Sequence, residues 1–212
     1  MLLHTFVILN LKLNTMKKMI LMASLIIATG VQLFAQQFKA DTKTSKIEWV
    51  GKKVTGQHNG EINLKKGELT LKKGNIVKGN FTIDMLSIVT LDLQGEWKEK
   101  LEGHLKSADF FDVEKHNTAS FTITGSEAKA DEKGNTHIIK GNLTIKGITK
   151  SLSFPAKITV KDNKLVAIAD ITINRTDYDI KYGSGKFFEG LGDKMIYDDF
   201  EIKLNFGAVA TK

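Results

Sequence analysis

Four histidines follow residue 35: His58, His104, His116 and His137. None stands in a His-x-x-x-His pair, and no Asp or Glu completes a recognised ligand spacing with them, so the chain carries no local metal motif. A metal site gathered from separate strands would draw on His58, His104 and His116. Cysteine is absent, which removes disulfides, thiolate ligands, a thiol nucleophile and a lipid-modified N-terminal cysteine. Hydrolysis finds no Gly-x-Ser-x-Gly elbow, and Ser87 has no partnered base in view. Gly183-Ser184-Gly185-Lys186 matches a phosphate loop in part, without its opening glycine or a strand–helix unit around it. With Phe187, Phe188, Gly190 and Gly192 it reads as a loop at the mouth of a larger structure. Asp198-Asp199 reads as a turn before a last strand rather than a catalytic carboxylate pair. None of these residue patterns points to an enzyme.

Composition narrows the partners. The net charge is +7, yet Arg175 is the only arginine among 31 basic residues. Lysine is a hydrated point charge without the planar fork that reads bases and phosphates, so nucleic acid is not an expected partner. Transient contact with an anionic membrane surface is compatible with so many lysines. The first 35 residues contain no Asp or Glu, and the apolar run Met19 to Val31 follows Lys17 and Lys18. This is the pattern of a secretory signal peptide cleaved near Ala35, too short for a spanning helix of about 20 residues. Met16 opens that pattern, so residues 1–15 read as an upstream start-site extension. Loss of Lys12, Lys17 and Lys18 with the signal lowers the net charge from +7 to +4. Residues 36–212 are then one exported domain, periplasmic or secreted.

The elements that must position any site are strands. From Ser45 onward apolar residues recur with period two: Ile62 and Leu64, Phe81 and Ile83, Phe121 and Ile123, Ile171 and Ile173, Phe200 to Phe206. Such alternation marks antiparallel strands with one buried face. Turn signals separate them at Lys73-Gly74-Asn75, Lys133-Gly134-Asn135, Lys146-Gly147 and Lys161-Asp162-Asn163. Eight or nine strands result, and a one-sided sheet of that size closes into a barrel or stacks as a sandwich. One segment departs: Leu93, Trp97, Leu101 and Leu105 recur every four residues among charged ones, which predicts an amphipathic helix of about three turns. It caps an open end, or plugs the core with Trp97 and the leucines. The inward set is Trp49, Phe81, Ile83, Phe121, Ile123, Leu143, Ile145, Phe154, Ile158, Ile171 and Phe206. A packed core and a cavity for an apolar tail both satisfy this pattern.

Several motifs appear in order. They are Ile47-Glu48-Trp49-Val50-Gly51-Lys52 with His58-Asn59-Gly60; Asp84-Met85-Leu86-Ser87-Ile88; the run Leu101 to Val113 with Asp109-Phe110-Phe111-Asp112; Gly141 to Lys150; and Ile173-Asn174-Arg175-Thr176-Asp177-Tyr178. From about Ser45 to Ala208 the chain resembles the YceI-like family of secreted, lipocalin-like barrels that bind polyisoprenoid lipids. The resemblance implies an all-β, antiparallel, lipocalin-like barrel of about eight strands with one short helix capping an end. It implies a non-enzymatic protein that shields or transports a long isoprenoid, polyprenyl or quinone-like, with no cofactor beyond that lipid. Phe110 and Phe111 join the expected apolar lining, and His58 and Arg175 are the candidates to meet a head group. The competing roles are an ion pair of Arg175 with Asp177, Asp179 or another acid, and a loop hydrogen bond for His58. Asn117 and Asp179 stand where the family favours proline and glycine. An enzyme or metal-dependent protein using the same cavity, and a packed stress-related domain without ligand, are the alternatives; a homodimer through an exposed strand edge fits either.

Overall fold

The computed structural model describes residues 35–211. The expected signal peptide, apart from its last residue, lies outside the described residues. Nine strands and one α-helix follow in chain order: β1 (Gln36–Ala40), β2 (Lys46–Lys53), β3 (Gly56–Lys72), β4 (Asn75–Thr90), α1 (Gly95–Lys106), β5 (Thr118–Ala128), β6 (His137–Ile145), β7 (Ile148–Lys161), β8 (Lys164–Asn174) and β9 (Ile196–Ala210). Every pairing is antiparallel, and β2 to β9 form a closed ring of eight staves in which β3 pairs with β4 and β2 with β9. The barrel alternative, and not the sandwich, is the fold.

The ninth strand is half of a split stave. β2 pairs with the first half of β3, Ile47 opposite Ile62, whereas β1 pairs with its second half, Phe38 opposite Leu69. On the other side β1 meets the last residues of β9, Phe38 opposite Ala210. The residues between them, Asp41 to Ser45, leave the ladder, and Ser45 fills the gap: the Gly207 N–H donates to its hydroxyl at 3.1 Å. Side-chain oxygen thus replaces the carbonyl that a continuous strand would supply.

Three of the predicted turns are two-residue hairpins with both central residues in the left-handed region: Lys73-Gly74, Lys146-Gly147 and Asp162-Asn163. That conformation matches the twist of the flanking strands. It also pins register, which decides which side chains face inward. Burial then alternates as period two requires. In β8 Leu165, Ala169, Ile171 and Ile173 are buried, and in β6 Ile139, Leu143 and Ile145 are. Large inward rings are accommodated where the neighbouring strand has no side chain beside them. A Cβ on Gly60 would lie 1.8 Å from the Val89 carbonyl oxygen and 2.6 Å from the Trp49 ring, and one on Gly141 would lie 2.5 Å from Phe121.

α1 falls between β4 and β5, as its spacing predicts, but starts at Gly95, which leaves Leu93 on the lead-in. Its sequence supplies no N-terminal side-chain cap, and the helix is held by β4 instead. Glu102 accepts the Thr90 N–H at 2.8 Å, and Lys98 donates to the Thr90 carbonyl while pairing with Glu102 at 3.2 Å. Burial alone would raise the Glu102 carboxyl; the Thr90 N–H and Lys98 outweigh it and hold the group below its usual range. The expected plug does not form from Trp97, which is 70% exposed, although Leu105 is buried and Leu101 half-buried.

Candidate functional site

The rings and aliphatic chains aimed inward do not fill the barrel. A cavity of about 920 Å³ remains, within the range of pockets that hold small or elongated ligands. Each strand of the ring contributes to its wall. Trp49 comes from β2, Phe81 and Ile83 from β4, Phe121 and Ile123 from β5, and Leu143 and Ile145 from β6. Phe154 and Ile158 come from β7, Ile171 from β8, Phe206 from β9, and Phe110 and Phe111 from the turn after α1. Two ring pairs shape the interior: Phe81 meets Phe206 edge-on at 5.3 Å, and Phe121 lies 5.7 Å from Phe154.

The structure adds residues to the wall. Met85 and Ile139 continue the alternation of Phe81 and Ile83 and of Leu143 and Ile145, whereas Ile76 and Ile88 break the parity of β4, and His104, Tyr182, Lys194 and Tyr197 join the wall at one end. β3 and β4 pair with register shifts between Glu61 and Asn63 and between Leu64 and Lys66. Each such irregularity resets which face the next residue occupies, so parity counted from one end of a 16-residue strand fails at the other. Of the end residues, His104 comes from α1, Tyr197 from the start of β9, and Tyr182 and Lys194 from the long 175–195 connection, where no period exists to read.

His58 and Arg175 both reach the lining, and each already has protein partners. His58 Nδ1 is 2.8 Å from Asp92 Oδ2, and Asp92 Oδ1 accepts the Asn59 N–H at 3.1 Å. Burial alone would raise the Asp92 carboxyl; the Asn59 N–H and the His58 ring hold it below the usual carboxylate range. Arg175 is 2% exposed. Its Nε donates to the Tyr197 carbonyl at 3.1 Å, Nη1 to the Ile180 carbonyl at 2.8 Å, and Nη2 to the Ile196 carbonyl at 3.0 Å. The acid beside it is Asp198, at 3.4 Å, rather than Asp177 or Asp179. Burial pulls the guanidinium below its ordinary pKa, and Asp198 opposes this. Arg175 therefore ties both ends of the 175–195 connection to one point.

That connection packs on α1 through rings. His104 stacks edge-on to Tyr182 at 4.4 Å and to Phe110 at 5.4 Å, and the Arg175 guanidinium lies 5.6 Å from the Phe110 centroid. Asp179 follows a 3-10 turn, Arg175–Tyr178, with φ of 58°. Here the expected glycine is replaced by a residue type that tolerates the left-handed region. The buried nitrogens Trp49 Nε1 and His104 Nε2 have no hydrogen-bond partner among the described residues. No group of three or more His, Asp and Glu among the described residues is placed to hold a metal. His58, His104 and His116 are separated: His58 sits on Asp92, His104 among rings, and His116 beside Gly147.

Tyr178 gives this end a pH response. It is 3% exposed, and burial, with Asp177 as the lesser cause, pushes its phenol up to about 12. In the unfolded chain a tyrosine ionises near pH ~10, so between about 10 and 12 the fold keeps a proton that the unfolded chain has given up. Stability attributable to Tyr178 is complete below about pH 10 and is lost as pH rises towards about 12. Tyr178→Phe is expected to flatten this alkaline decline in thermal midpoint; superimposable pH curves for the two proteins would exclude Tyr178 as its source.

An antiparallel eight-stave barrel around an apolar cavity, capped by a helix and a ring-packed loop, defines a class of small barrel domains. The chain belongs to the YceI-like domain family, whose model matches residues 38–208. A UPF0312 protein of Vibrio vulnificus is 30% identical over 148 residues, 62% of this chain and 72% of that protein. One from Pectobacterium atrosepticum is 47% identical over 55 residues, so this match spans only 27% of that relative's length and 26% of this chain. Among solved structures, BcnA of Burkholderia cenocepacia superposes with a TM-score of 0.64 at 20% identity, covering 80% of this chain and 99% of that one. A polyisoprenoid binding domain from Saccharophagus degradans, implicated in plant cell wall breakdown, superposes with a TM-score of 0.60 at 12% identity, over 82% and 98%. Both share the fold.

Proposed function

We propose that this protein binds a long-chain isoprenoid lipid inside the barrel and shields or carries it through an aqueous compartment, the periplasm or the exterior. The observation that carries this reading is the unfilled cavity of about 920 Å³ walled by aliphatic and aromatic side chains from all around the ring. A void of that size is costly to leave empty in a well-packed protein, since its lining forgoes dispersion contacts. Each buried CH₂ contributes about 0.8 kcal/mol, so a tail holding ten such groups gains roughly 8 kcal/mol without a polar anchor. The family and the polyisoprenoid binding domain among the structural relatives support the same ligand class. His58 and Arg175 are engaged by Asp92 and by backbone carbonyls, so the reading rests on burial of the tail rather than on a head-group anchor. The role proposed is non-enzymatic and needs no metal or further cofactor. Native mass spectrometry of residues 36–212 from an exported preparation tests it. A stoichiometric adduct whose extract shows a prenyl mass ladder is expected. A clean apo mass with no uptake of added prenyl lipids would overturn the reading in favour of a domain without lipid.

A further inference from the structure

The two ends of the barrel are unlike. One carries the hairpins Lys73-Gly74 and Asp162-Asn163 and the β5–β6 connection; the other carries the β2–β3 hairpin, α1 and the 175–195 connection. The cavity reaches solvent at the second end, because Trp97, 70% exposed, and Tyr197, 49% exposed, both belong to its wall. Among the described residues every large exposed aromatic lies on the elements of this end: Trp97 on α1, Tyr182, Phe187 and Phe188 on the connection, and Tyr197 at the start of β9. The large apolar side chains exposed elsewhere are aliphatic, such as Val77 and Ile168. Exposed rings clustered around one opening are out of place against water and suited to a membrane interface, where an amphipathic ring sits at head-group depth.

The charges of the rim match that setting. Lys100 Nζ lies 5.1 Å from the centroid of Trp97, and Lys181 and Lys186 lie 5.3 and 5.6 Å from that of Phe187. Ring and ammonium side by side can enter the interface together, the ring towards the acyl chains and the ammonium towards phosphate. The charged side chains that line the opening are Lys52, Lys53, Lys100 and Lys194 with Asp193 and Asp199, besides the internally bonded Arg175; of the rim lysines, Lys52 is paired with Glu201 at 2.5 Å, Lys100 with Glu96 at 2.7 Å and Lys181 with Asp179 at 2.6 Å. Lys53, Lys186 and Lys194, which make no ion pair among the described residues, are the ammoniums left to meet lipid phosphate.

We propose that the rim is a docking surface for an anionic bilayer, with Trp97 and Phe188 entering the interface so that the cavity opens onto the acyl region. The proposal rests on the lipid-binding reading and says where cargo crosses. It is tested by flotation of the full exported chain with vesicles of phosphatidylcholine and phosphatidylglycerol, and by quenching of tryptophan emission with bromine-labelled acyl chains. Co-flotation and quenching are expected. The double variant Phe187→Ser, Phe188→Ser, at exposed rings that do not line the cavity, should lower the bound fraction at least about tenfold, since the two rings together forfeit more than about 1.4 kcal/mol of apolar burial. Lys72→Glu with Lys73→Glu, at the far end, should change it by less than about twofold, as expected for charges outside the docking surface. Flotation unaltered by the rim variant, equal loss from the far-end variant, or flotation without quenching would overturn the proposal. So would a dimer in solution that the rim variant dissociates while vesicles remain unbound, which would assign the rim to a second copy. Native mass spectra of the same variants separate the two readings: a rim variant that keeps its prenyl adduct while losing vesicles locates the defect at the surface. A parent that docks but never carries lipid would instead defeat the cavity reading alone.

Discussion

Phe154→Asp is expected to lower retained prenyl lipid by at least about a hundredfold in native mass spectra, because an unpaired carboxylate in an apolar site costs several kcal/mol. Phe154 is 7% exposed on β7, lines the cavity, and lies 5.7 Å from Phe121. Ionised, the new side chain repels a hydrocarbon tail; protonated, it still replaces a ring's contacts with unpaired oxygens. The same change also weakens the fold, so a second variant separates the two effects. Ala119, on β5, is 6% exposed and lines the cavity. Ala119→Trp places bulk in the void without charge, and the contacts it gains within the cavity offset any strain. The indole takes up only part of the cavity of about 920 Å³, so its expected result is weaker retention of lipid at an unchanged or higher thermal midpoint. Retention equal to the parent's would show that the lipid does not occupy the space beside Ala119.

Arg175→Leu should be the most destabilising substitution at the mouth. Three carbonyls, of Tyr197, Ile180 and Ile196, would lose their donor, and Asp198 its cation. Breaking a buried charge network of this kind costs about 3–5 kcal/mol. For a domain of this size that is a fall of roughly 10 °C in midpoint, with the 175–195 connection becoming the first site of proteolytic cleavage. Arg175→Lys should recover only part, since one ammonium cannot span carbonyls from two segments as the planar fork does. A residue serving only a lipid head group would behave differently, losing ligand at an unchanged midpoint and cleavage pattern.

The strands were legible because one physical period, two, records one buried face, and because glycine and asparagine at the turns record left-handed backbone. That is why Phe121, Leu143, Phe154 and Phe206 could be named as inward and are found in one wall. The helix was legible as an element but not in how deeply each apolar residue sits. A spacing of four in a helix of 3.6 residues per turn drifts by about 40° at each step, so Trp97, Leu101 and Leu105 keep to one stripe and all line the cavity. Leu105 is buried, whereas Trp97 stands at the open rim. Arg175 could be singled out by composition, yet its partners are chiefly backbone carbonyls, which leave no mark in residue identity. Whether the interior is packed or hollow was equally unreadable. It depends on the stagger of eight staves and on glycines such as Gly60 and Gly141 that admit large rings against the opposite strand.

The ladder between β2 and β9, which sets Lys46 opposite Asn205, joins the two ends of the domain, and the split stave adds Phe38 opposite Ala210. Contacts so distant along the chain place the domain among slow folders, whose loop-closure entropy is spent before the contacts that offset it form. During synthesis the seam stays open until the last strand has emerged. Through that interval the apolar lining faces outward along a whole stave rather than through a rim. On the lipid-binding reading, a tail met before closure would need no gate, whereas one taken up afterwards would have to pass the rim.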